Sequence, residues 1–86
     1  MISCEQHDYI EIACMYRFRV SLQLDTGDIV EGIALDTKTN STGQECIELK
    51  LSDKNILVAT DSVLRMDALT QNKHFKFITF RSIAAD

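Results

Sequence analysis
The 86-residue chain contains no proline, only three glycines, three cysteines and no long apolar run. Each shortage excludes something. No stretch approaches the roughly 20 apolar residues that carry a helix across a bilayer. The N-terminus also lacks the basic start and apolar core of a secretory signal, so a cytoplasmic protein without a membrane partner is expected. Three glycines supply no Gly-rich phosphate loop, and no nucleophile and base stand at a catalytic spacing, so an enzyme is not expected. Cys4, Cys14 and Cys46 are odd in number, and none pair at the two-residue spacing of zinc or thioredoxin-like sites. With only two histidines beside them, a four-ligand metal centre is not expected, and no cofactor is implied. Positive charge is scarce as well: thirteen acids face nine Lys and Arg, for a net charge of −4 and a pI near 5.0. That balance argues against gripping nucleic acid directly.

Present in quantity are core-forming residues, 45% of the chain, enough for one small domain over residues 1–86. The charge is distributed unevenly. Residues 1–36 hold seven acids and two bases, a net of −5, whereas residues 37–86 hold six acids and seven bases, a net of +1. Glu5, Asp8 and Glu11 fall in the only segment that reads as a helix, over about residues 4–17. Ser3 with Gln6, or Asp8 with Glu11, would form a capping box at its start. Ile10, Ala13, Cys14 and Phe18 recur at three- and four-residue spacing and give it one apolar stripe, with Asp8 and Glu11 outside that stripe. A helix this short must dock on something. Its acids then form either a solvated face or a contact surface.

From residue 18 to about 81 the pattern becomes that of strands. Phe18, Val20, Leu22 and Leu24 alternate with polar residues, and Asp25, Thr26 and Gly27 make a hairpin turn. A second strand over 28–35 contains Gly32, which marks a bend or a close backbone approach. Residues 36–44 read as a polar surface loop. Strands over 46–51 and 56–60, a brief turn at Asp61 and Ser62, a strand from Val63, and an apolar segment over 74–80 complete the chain. The absence of proline suits a continuous, bent sheet. The expected fold is mostly β with one N-terminal α-helix, a small partly open barrel of five to six strands.

The residues from Val20 to Gly27, followed by Gly32 and Asp36, resemble the first Sm motif, an alternating strand, a Gly turn and a second glycine where the next strand bends. The segment from Cys4 to Cys14 is similar to the opening helix of the Rho-binding antiterminators, the Rof family, with two cysteines ten apart, acids between them and the ending Ile10-Glu11-Ile12-Ala13-Cys14. The stretch from Val58 to Val63, with Asp61 within it, resembles that family's late strand and turn. The resemblance implies an Sm-like fold and an inhibitor of Rho-dependent transcription termination. Such proteins bind the hexameric RNA helicase Rho over the OB-fold surface of its N-terminal domain and block RNA capture. A groove lined with Arg and Lys for phosphates also attracts carboxylates. On that basis Glu5, Asp8 and Glu11 are the expected charged contacts, His7 and Tyr9 an accompanying aromatic face, and Asn40, Ser41 and Thr42 polar rim contacts. A monomer when free is expected. A second reading starts from Asn72-Lys73-His74, which resembles the Lys-His signature of the bacterial RNA chaperone Hfq and would make the chain a subunit of an RNA-binding ring. The acidic first third is wrong for an RNA surface, and a Lys-His pair beside a strand is common by chance.

Overall fold
A computed structural model of the protein describes residues 4–80, the side chains of Cys4 and Glu5 excepted. The chain opens with α1 (Cys4–Met15), which is already helical at Cys4, so Asp8 lies within it and not at its start. Ser3, the alternative cap, lies outside the described residues. The helix ends two residues before the sequence-based boundary because Arg17 adopts a left-handed φ of 56°. Its N–H donates to the Cys14 carbonyl at 3.2 Å, and the Phe18 N–H donates to the Ala13 carbonyl at 2.9 Å, which together form a Schellman cap. Glycine usually occupies this position, and a side chain there carries a cost of about 1–2 kcal/mol. Arg17 offsets part of it by donating from Nη1 to the Leu35 carbonyl at 3.0 Å.

Six strands follow: β1 (Arg19–Leu24), β2 (Ile29–Thr39), β3 (Glu45–Lys50), β4 (Asn55–Ala59), β5 (Val63–Ala68) and β6 (Phe77–Thr79), with a 3-10 turn over Thr60–Ser62 between β4 and β5. Every neighbouring pair is antiparallel, in the order β4-β3-β2-β1-β5-β6. The expected mostly-β fold with an N-terminal helix is borne out as an open sheet whose edges are β4 and β6. Val58 of β4, Met66 of β5 and Phe80 share one buried cluster with Val20, Leu22, Ala34, Ile47 and Leu49, so the sheet curls around a common core. The apolar stripe of α1, Ile10, Ala13 and Cys14, closes that core from the side of β2.

Two glycines have structural tasks. Gly27, at φ 94°, turns β1 into β2. Gly32 lets β3 come close: a Cβ there would lie 2.9 Å from the Lys50 carbonyl oxygen.

The segment 36–44 is not one loop. Asp36, Thr37, Lys38 and Thr39 pair with Glu48, Ile47, Cys46 and Glu45, so β2 runs four residues further than the alternation indicates. Leu35 is skipped in that ladder as a bulge, and its carbonyl is the one that Arg17 uses. At the other end of the chain only Phe77–Thr79 of the segment 74–80 pairs as a strand. Residues 69–76 form a connection held by rings: Phe75 meets Tyr9 of the helix at 5.5 Å and Phe18 at 6.0 Å, and His74 stacks on Tyr16, just past the helix end, at 5.4 Å.

Candidate functional site
The helix is fixed on both flanks. On one side the Gln6 amide donates from Nε2 to the Thr79 carbonyl at 2.8 Å, and Tyr9 meets the ring of Phe75 edge-on at 5.5 Å. On the other, His7 Nε2 bonds to the carboxylate of Glu45 at the start of β3. Ile10, Ala13 and Cys14 hold the underside. With three sides engaged, Asp8 and Glu11 are left on the outer edge, and both are exposed.

The electrostatics of this face are acidic. His7 is raised above its ordinary pKa by the hydrogen bond its ring donates to the Glu45 carboxylate, opposed by partial burial and helped by the charges of Glu45, Glu11 and Asp8. Its second ring nitrogen, Nδ1, lies 3.7 Å from Glu11. Burial pushes the Cys14 thiol up to about 11, with Asp36 and then Glu11 adding to the effect against Arg17. Both carboxylates therefore act on the same flank of the helix.

The residues expected to form a contact surface are not all free to do so. Asp8 and Glu11 are. The Glu5 side chain lies outside the described residues. His7 is turned toward Glu45, and Tyr9 is half-buried against Phe75. Asn40 spends its side chain inside the hairpin between β2 and β3: its Oδ1 accepts from Thr42 N–H at 3.0 Å, Thr42 Oγ1 at 2.8 Å and Gln44 N–H at 2.9 Å. Gly43, at φ 87°, completes that turn, and Ser41 and Thr42 remain exposed at its tip. The hairpin leads directly into Glu45, so the structure does join the loop to the helix, through His7. Three further residues belong to this face: Glu45 and Asp36, whose charges act on His7 and Cys14, and Met15, 68% exposed at the end of the helix. Assigning 36–44 to a loop concealed Asp36. Glu45 stands next to the first alternating residue of β3 and carries no signal of its own. His74 lies on the β5–β6 connection, exposed and stacked on Tyr16, with its backbone N–H bonded to Asn72 Oδ1 at 2.7 Å.

Among the described residues, no group of three or more His, Cys, Asp or Glu side chains is placed to hold a metal ion, and no helix is long and apolar enough to cross a membrane.

Comparison with known proteins agrees with the antiterminator resemblance. The family described as "Modulator of Rho-dependent transcription termination (ROF)" matches residues 1–80. No curated protein sequence gives a significant match. A solved structure, that of YaeO bound to magnesium from Vibrio cholerae O395, superposes with a TM-score of 0.83 at 40% identity, over 86% of this chain and 96% of that one. A family match over nearly the whole length, joined to a shared helix-and-sheet architecture at that identity, decides between the two families raised by the sequence: the chain belongs to the family of modulators of Rho-dependent transcription termination.

Proposed function
We propose that this protein inhibits Rho-dependent termination by docking the outer edge of α1 on the N-terminal OB-fold region of hexameric Rho, where it blocks RNA capture. The observation that supports this reading is the arrangement of the helix: its apolar side and both flanks are engaged by the rest of the fold, and Asp8 and Glu11 are the charged side chains described on its outer edge, with Met15 at its end. A surface that binds RNA phosphates is positive, and carboxylates on a docked helix match it while the body of the protein fills the space of the strand. No enzymatic step is required. The acidic balance of the chain also favours this partner over nucleic acid itself.

The test is competition between the protein and a cytidine-rich RNA for Rho. Reversal of both helix acids, Asp8→Lys with Glu11→Lys, should weaken competition about ten-fold or more at low salt, since each exposed pair contributes about 0.2–1 kcal/mol and reversal adds repulsion to the loss. Asp53→Lys, on the β3–β4 turn, is the control. Asp67 is unsuitable because Arg65 holds it at 2.9 Å. Equal competition by the helix and control variants would refute the proposed edge.

A further inference from the structure
The outer edge of α1 has a titratable neighbour. His7 stands one turn before Glu11 on the helix, and its ring lies between two carboxylates: Nε2–H donates to Glu45 of β3, and Nδ1 lies 3.7 Å from Glu11. The bond to Glu45 fixes the tautomer, because a carboxylate only accepts. In the neutral ring the proton sits on Nε2, and Nδ1 turns a lone pair toward Glu11. A second proton, on Nδ1, converts that contact into an ion pair, so that protonated His7 joins β3 to the docking edge. The charges acting on the ring are all negative, Glu45 from β3 and Glu11 and Asp8 from its own helix. Other elements packed on the helix bring no further charge to it. The connection 69–76 and β6 meet the helix through the Phe75 ring and the Thr79 carbonyl, and Asp36 and Arg17 act on Cys14, two turns further along.

We propose that docking of the helix edge is linked to this proton: His7 and the basic surface of the partner compete for Glu11, so docking expels the Nδ1 proton to solvent and strengthens as pH rises. The inference rests on the docking reading above and adds the regulation of the same edge. Glu11 is exposed and can turn to the imidazolium or to a cation of the partner. When the partner's cations take Glu11 and approach Asp8, the two helix charges that favour the protonated ring are neutralised, and a positive surface is added beside it. The free protein therefore holds the proton more tightly than the complex does. Affinity is highest above the range in which free His7 titrates, which is raised above 6.5, and it falls as pH drops through that range. Deprotonation leaves the Nε2–H donor in place, so the neutral ring still meets Glu45.

The test is competition with the cytidine-rich RNA for Rho at about pH 6 and about pH 8.5, at low salt. His7→Gln keeps a neutral donor toward Glu45 and takes up whatever the groups of Rho themselves contribute to the pH profile. The gain of the wild-type protein from the lower to the higher pH should exceed that of His7→Gln about two- to five-fold, the range of one exposed ion pair. His74→Gln, which removes the other histidine, on the β5–β6 connection, should keep the wild-type profile. Calorimetry in two buffers of different ionisation enthalpy should show part of a proton released on docking by the wild-type protein and less by His7→Gln. In the free protein, Glu11→Gln should lower the midpoint of the His7 titration followed by NMR. Equal pH profiles for the wild-type protein and His7→Gln, proton uptake on docking, or a His7 midpoint indifferent to Glu11→Gln would each overturn the proposal. Competition that is the same at both pH values leaves the docking reading standing and removes the linkage, whereas no competition at either pH removes both.

Discussion

Replacing Gly32 by alanine tests how closely β2 and β3 are packed. The added Cβ would meet the Lys50 carbonyl oxygen at 2.9 Å, Leu51 Cδ2 at 3.0 Å and Leu49 Cβ at 3.2 Å. Only the Leu51 methyl can rotate away. The carbonyl belongs to β3, and moving it shifts the ladder that carries Leu49, a fully buried core residue. Overpacking of this kind costs about 1–3 kcal/mol. Restricting the unfolded chain returns roughly 0.4–1 kcal/mol, so the net loss is about 1–2 kcal/mol. For a domain of this size each kcal/mol is worth roughly 4–8 °C, and thermal unfolding followed by circular dichroism should show a fall of about 4–16 °C. Combining Gly32→Ala with Leu51→Ala separates the two obstacles. If the carbonyl is the hard contact, the double variant is no more stable than the sum of its parts. A melting temperature unchanged by Gly32→Ala, or full rescue by Leu51→Ala, would refute the reasoning. Gly27→Ala supplies the contrast: nothing lies within 4 Å of its Cβ, and its cost of about 1 kcal/mol would come from the left-handed φ of 94° alone.

The His7–Glu45 bond makes stability depend on pH. Because the folded-state pKa of His7 is raised, its contribution is fully present below the unfolded value of 6.5 and disappears as pH rises through the folded pKa. Glu45→Gln should therefore lower the melting temperature at acidic pH and have little effect on the alkaline side, and an NMR titration of His7 in that variant should return toward the ordinary value. Asn40→Ala removes the acceptor of three hydrogen bonds and should cost about 1–2 kcal/mol in urea denaturation, whereas Ser41→Ala at the same tip should be neutral. Cys14, buried and with its thiol pushed up to about 11, should resist iodoacetamide at pH 8 until the protein unfolds, and native labelling at the rate of a free thiol would contradict its placement in the core.

The elements legible in the sequence are those whose pattern is written by the core. Ile10, Ala13 and Cys14 on the helix, Val20 and Leu22 on β1, and Ile47 and Leu49 on β3 are all buried where their spacing places them. The misreadings occur where hydrogen bonding continues after the core has ended. Residues 36–39 alternate between polar side chains on both faces, so β2 keeps its ladder to β3 but loses the apolar period that would announce it. The helix end was overrun for a related reason. Its left-handed cap is filled by Arg17, not glycine, and is sustained by a bond to a bulge carbonyl that no local pattern reveals. His7 and Tyr9 were legible as members of the acidic helix. Their inward direction was not, because Glu45 and Phe75 reach them from distant parts of the chain.

That inward direction bears on how the outer edge works. Association costs the ordering of each side chain and segment at the interface, roughly 0.5–1.5 kcal/mol per mobile side chain, and a helix of 12 residues is marginal by itself. Here Gln6, His7 and Tyr9 meet that cost within the folded molecule, through Thr79, Glu45 and Phe75. Asp8 and Glu11 then stand on a backbone that is already placed. On the proposed docking, residues behind the outer edge also affect affinity: Glu45→Gln, which removes the charged acceptor of the His7 bond, should weaken docking although Asp8 and Glu11 are unchanged. The sheet thus fixes the backbone that carries Asp8 and Glu11, and their carboxylates need only their own side-chain torsions ordered on binding.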